Sequence, residues 1–210
     1  MQRFRFSTNL KSKSKAKKFM FLIVVSIIIF NLLIYVGAVR KVLFSNMISQ
    51  ERGHWCWASA AQQSGYWWAN YNEPLSSRPV SQSEIVRHVK GSVVNLPANN
   101  AYEVAKAAKC AAYNHSKAKP VATESYNFNF NTIKGFVDQG KPIICNQYSI
   151  LNGTGHSLLI SGYEDTSSVK NVIYVDPTDG KRYEISYDKF VSGWQYGYLW
   201  VWAVYWQHWN

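Results

Sequence analysis

Gln50-Glu51-Arg52-Gly53-His54-Trp55-Cys56-Trp57-Ala58-Ser59-Ala60-Ala61 is the stretch whose reading decides the fold. A cysteine sits between two tryptophans and opens a run of small residues. Ala58, Ala60, Ala61, Gln62 and Gln63 favour helix, so a helix is expected from Cys56 to about Tyr71. Gly65 weakens it and Glu73-Pro74 stops it. A thiol at the start of a helix faces the positive end of the macrodipole, which lowers its pKa and favours the reactive thiolate. Cys56 therefore reads as a nucleophile, although a cysteine alone is more often a small buried hydrophobe.

A nucleophilic thiol needs a base, and the base needs an orienting group. His156, in Gly155-His156-Ser157, begins an apolar stretch and follows a glycine-rich turn. Asp176, in Val175-Asp176-Pro177, ends the next one and is placed to fix the imidazole tautomer. Asp179 competes with it, but Thr178-Asp179-Gly180 reads as the turn itself. Gln50, six residues before Cys56, is a candidate side-chain donor to a developing oxyanion, beside the Cys56 backbone N–H. His54, His88, His115 and His208 read as structural or surface residues.

The net charge of +11 raises the question of nucleic acid. Residues 1–41 hold Arg3, Arg5, Lys11, Lys13, Lys15, Lys17, Lys18, Arg40 and Lys41 and no acid. Beyond them the charge is close to balanced, which argues against a phosphate-binding face. All nine tryptophans lie beyond residue 54, so the remainder has the apolar content of a packed domain.

Phe19 to Val39 is charge-free and apolar all round. A helix of that length reaches across a hydrocarbon core of about 30 Å. The expectation is a transmembrane signal anchor over 19–39, or a signal peptide cleaved near Ala38. The basic head 1–18 would then be cytoplasmic, 40–49 a linker, and 50–210 a domain outside the cell membrane or secreted.

Within that domain Ser81-Gln82-Ser83-Glu84 is a capping box that starts a short helix ending at Gly91. Further helices are expected over 99–113 and from near Asn131 to Gly140. After Gly140 the period changes. Residues 142–148, 156–163, 172–175, 182–186 and 199–206 are apolar or β-branched and read as strands. Helices first and strands second give an α+β class with a mainly antiparallel sheet.

These pieces together resemble papain-like cysteine peptidases, in particular the compact bacterial branch of bacteriocin-leader peptidase domains and secreted effector proteases. The resemblance is carried by Gln50, Trp55-Cys56-Trp57-Ala58-Ser59, residues 80–86, Gly140-Lys141-Pro142-Ile143, residues 155–163 and Tyr174-Val175-Asp176-Pro177. It implies a helical N-terminal half with the nucleophile at a helix N-terminus and a β C-terminal half. It also implies hydrolysis of a peptide or protein substrate through an acyl-thioester on Cys56, with His156 as base, Asp176 as orienter and Gln50 as oxyanion donor. The third member here is aspartate, where plant papain relatives carry asparagine.

The same thiol and base would also serve an amidase or acyltransferase on cell-wall or other amides. A catalytically silent peptide-binding module is a reading from another class, and it does not need all four residues together. Cys110 and Cys145 are open to two readings, a disulfide on an oxidising outer face or two core residues. No CxxC or paired-histidine spacing suggests zinc, and no cofactor is expected.

Overall fold

The computed structural model describes residues 17–28, 39–43, 46–72, 79–113, 115, 117–124, 128–149, 151–192 and 198–207. The chain divides into two units, Met1–Val39 and Arg40–Asn210.

In the first unit the described residues form a helix, α1, over residues 17–28, with exposed apolar side chains. At 1.5 Å per residue these twelve described residues rise about 18 Å. Among the described residues no helix is long and apolar enough to cross a membrane. This overturns the expected transmembrane helix over 19–39. The signal anchor, the membrane as partner and the membrane localisation fall with it. Val39, the last residue of the expected span, instead begins strand β1 (Val39–Val42). An unbroken apolar run signals a preference for burial but not which structure provides it, and β-branched Val39 and Val42 suit a strand. Residues 29–38 lie outside the described residues.

The second unit is built on an antiparallel sheet. Its strands are β2 (Pro120–Thr123), β3 (Ile143–Ser149), β4 (Gly155–Asp165), β5 (Lys170–Asp176), β6 (Lys181–Ser186) and β7 (Tyr198–Trp206). They lie in the order β2-β7-β3-β4-β5-β6, and β1 pairs with β4. β3 meets β4 only from Gly155 to Ile160. Just past that point the Leu43 N–H donates to the Ser161 carbonyl at 2.7 Å, so the β1 segment continues the ladder where β3 has ended. Gly162 is required there, because a Cβ would lie 2.5 Å from the Lys41 carbonyl oxygen.

Alternate residues of the strands serve two cores, as the two-residue period of a strand dictates. Ile144, Leu159 and Val204 face α2 (Cys56–Asn72), α3 (Gln82–Lys90) and α4 (Ala101–Ala111). Ile143, Cys145, Leu158 and Ile160 face α5 (Phe130–Asp138) and Phe190 of α6 (Tyr187–Ser192). The α+β class therefore stands, as an open antiparallel sheet with helices on both faces. The three cysteines are free thiols. Cys110 and Cys145 belong to the two different cores, which settles them as core residues.

The capping box at α3 is complete, with Ser81 accepting from the Glu84 N–H and Glu84 accepting from the Ser81 N–H. α3 in turn anchors the segment before Cys56: the Gln82 amide donates to the Ser49 carbonyl at 2.8 Å and accepts from the Glu51 N–H at 2.9 Å.

Candidate active site

Cys56 is the first residue of α2, is buried, and lines a cleft. The tryptophans on either side are fully buried, and Trp57 lines the cleft. The Trp55 indole N–H donates to the Val94 carbonyl at 2.8 Å, and the Trp57 indole N–H donates to the Leu96 carbonyl at 3.0 Å. The His54 backbone N–H donates to Asn95 Oδ1 at 3.0 Å. These bonds hold the extended segment 94–96 beside the thiol, and Pro97, Ala98 and Asn99 continue it along the cleft.

β4 brings His156 to Cys56, and β5 ends with Asp176 beside His156. His156 Nε2 is 2.8 Å from Asp176 Oδ1, and the Thr178 backbone N–H donates to the same oxygen at 2.8 Å. Asp176 thus takes Nε2 and leaves Nδ1 as the ring nitrogen for the hydrogen bond between His156 and the Cys56 thiol. The Ser157 N–H reaches Cys56 Sγ at 3.5 Å from the next residue of the strand. Asp179 does not face the histidine. It accepts from Tyr183 Oη and lies beside Lys181, and Asp176 is the one of the two aspartates that contacts His156.

The three groups perturb one another in the sense an ion pair requires. Burial pushes the Cys56 thiol up, but the hydrogen bond and charge of His156, with the Ser157 and Trp57 N–H groups, bring it below its ordinary value. Burial works against the charged imidazole, yet Asp176 and Cys56 push His156 up to about 10. Asp176 is opposed by burial and held below the carboxylate range by His156 and Thr178.

Gln50 is tied beside the Asp176 turn by its N–H, which donates to the Pro177 carbonyl at 2.6 Å. Its side-chain amide donates to the carbonyls of Arg52 and Gly53, at 2.9 and 3.0 Å. Both N–H bonds of that amide are therefore engaged inside the loop that leads to Cys56. The structure gathers Cys56, His156 and Asp176 directly, and places Gln50 next to them with its donors turned to the loop.

The sequence reading passed over Asn146, Ser157, Thr178 and the 94–99 segment. Asn146 had a signal, a polar residue inside the apolar strand Pro142–Tyr148, opposite Ser157 in the β3–β4 register. Trp202 of β7 also lines the cleft. Trp206 instead stacks on Trp68 in the core. Among the described residues no group of three His, Cys, Asp or Glu side chains could hold a metal ion.

A thiol at a helix start, an imidazole and a carboxylate in sequence are the groups that nucleophilic thiol chemistry uses. The chain belongs to the Peptidase_C39 like family, whose profile matches residues 43–198. Among solved structures it is similar to one described as a C39-like peptidase from Bacillus anthracis. The match has 15% identity and a TM-score of 0.51, and covers 81% of this chain and 98% of the other. At that identity the likeness shows the fold. No match was found among curated proteins. Family membership supports a cysteine-peptidase type of function in general.

Proposed function

We propose that the protein hydrolyses peptide bonds through an acyl-thioester on Cys56. The observation that carries this reading is the continuous contact from Cys56 to His156 to Asp176, with the thiol lowered and the imidazole raised. The Cys56 thiolate attacks the scissile carbonyl carbon and forms a C–S bond. The His156 imidazolium gives its proton to the departing amine as the C–N bond breaks. Water then attacks the thioester, His156 takes its proton, and the acid leaves as the thiolate re-forms. Asp176 keeps Nε2 engaged, so that Nδ1 serves both transfers.

The oxyanion is assigned to the Cys56 N–H and the Gln50 amide. For Gln50 this requires that one of its loop bonds, to Arg52 or Gly53, be exchanged for the oxyanion. Gln50 would thus link the shape of the loop to the occupied state of the site.

The test is peptide digestion followed by mass spectrometry. Fragments that together carry one added water, formed by the full chain and not by Cys56→Ala, are expected. Hydrolysis retained by purified Cys56→Ala protein would sink the assignment.

A further inference from the structure

The cleft that opens from Cys56 has a volume of about 390 Å³. Trp57, Pro97, Ala98, Val201 and Trp202 supply its apolar walls. Its polar lining includes Tyr148, which is exposed, and three further side chains that are held by neighbours. Asn99 Nδ2 donates to Glu103. Ser157 donates its hydroxyl to Asn146 Oδ1 at 2.7 Å and its N–H to Cys56 Sγ. Asn146 is itself only 9% exposed, and its Nδ2 has no hydrogen-bond partner among the described residues.

We infer that Asn146 is the specificity-determining residue of this cleft, and that it selects a substrate side chain that is uncharged, has an apolar stem and ends in an acceptor oxygen. The inference rests on the peptidase reading. The Ser157 hydroxyl engages Oδ1 and so orients the amide, leaving the two N–H bonds of Nδ2 for the cleft. A largely apolar cleft with a buried donor on its wall binds the stem by area and the tip by a directed bond. Burying that donor against a tip with no acceptor leaves it unpaired, which is the stronger part of the discrimination. A carboxylate tip gains the same bond but loses its hydration between tryptophans, and an ammonium tip loses its hydration and meets a donor where it needs an acceptor. Asparagine and glutamine are the common side chains of this kind.

The experiment uses the full chain and peptides varied singly at each of the four positions nearest the scissile bond. Methionine sulfoxide and methionine are the decisive pair, near-isosteric and uncharged, with an acceptor oxygen on one and no added donor. At one position the sulfoxide and glutamine should exceed methionine about tenfold in kcat/KM. Lysine should fall below methionine there. Asn146→Asp keeps the oxygen that Ser157 binds but removes the donor, so the sulfoxide advantage should vanish or invert while the lysine penalty shrinks. Ser157→Ala frees the amide to rotate and should reduce the advantage without inverting it. A sulfoxide-to-methionine ratio near one at all four positions overturns the inference, as does a preference for lysine or a ratio that Asn146→Asp leaves unchanged. Those outcomes leave the peptidase reading standing. If the wild type cleaves no peptide, the peptidase reading fails and this inference with it.

Discussion

Asp176 binds His156 through Nε2 at 2.8 Å, and the Thr178 N–H donates to the same carboxylate oxygen. Three consequences follow for the proposed chemistry. The imidazole cannot turn its Nε2 to the thiol, Nδ1 is committed to Cys56, and the carboxylate is kept ionised by two donors. Asp176→Asn preserves shape and the Thr178 contact but removes the charge that favours imidazolium. The expected loss in kcat/KM is on the order of 10²-fold, against 10³-fold or more for His156→Ala, which deletes the proton carrier. Steady-state kinetics on one peptide with both variants checks the order, and a larger loss in Asp176→Asn than in His156→Ala contradicts it.

The same network sets a pH dependence. Cys56 lies below the ordinary thiol value and His156 lies at about 10, so thiolate and imidazolium coexist between the two. As pH falls through the lowered thiol value the nucleophile is protonated. As pH rises through about 10 the imidazolium proton, needed by the leaving amine, is lost. Alkylation by iodoacetamide reads only the first event, and peptide turnover reads both. Turnover should therefore fall above about pH 10 while alkylation does not. In His156→Ala the buried thiol keeps its burial and loses its partner, so the alkylation curve should move to higher pH. An alkylation curve that is the same in both proteins means that His156 does not act on Cys56.

The parts legible in the sequence were those whose signal is local. Ser81 and Glu84 announced α3 because both halves of a capping box lie within one turn. The β3 and β4 strands were marked by apolar, β-branched runs. The order Cys56, His156, Asp176 could be read because each lies at the start or end of an element, where side chains reach a shared cleft. Long-range and short elements were not legible. β1 was split between the apolar run, which took Val39, and the 40–49 linker, which took the rest. β2 has only four residues and starts with proline, which suits an edge strand but gives little periodic signal. The pairing of Asn146 with Ser157 depends on the β3–β4 register, which no single strand reveals.

Gly65 illustrates how packing reverses a propensity argument. In sequence it weakens α2, and alanine there should favour helix by about 1 kcal/mol. In the fold it is where α2 and α4 touch. A Cβ would lie 2.4 Å from Ala111 Cβ and 2.8 Å from the Ala108 carbonyl oxygen. Neither contact is with the end of a flexible side chain, so the helices must separate. Gly65→Ala should destabilise the protein by about 1–3 kcal/mol, seen as a lower urea midpoint with little change in slope. An unchanged or raised midpoint shows that the helices separate freely and that propensity wins.

Lys141 carries the last prediction. It sits between Gly140 and Pro142 at the approach to β3, is 2% exposed, and its Nζ has no hydrogen-bond partner among the described residues. Burial lowers its pKa from the ordinary lysine value. A lowered lysine pKa means that the unfolded chain holds the proton more tightly than the folded one. The penalty is therefore fully present at pH values below the folded pKa and shrinks as pH rises towards about 10.5. Methionine is also unbranched and fits a similar path without an amine to desolvate. Lys141→Met should stabilise the fold by about 1–3 kcal/mol at neutral pH, the usual penalty of an unpaired buried polar group. Its advantage over wild type should diminish between neutral pH and about pH 10, so urea melts at both ends of that range decide the matter. A variant less stable than wild type at neutral pH would mean that the ammonium is held by a favourable interaction, and the lysine would then be a structural anchor of the turn into β3.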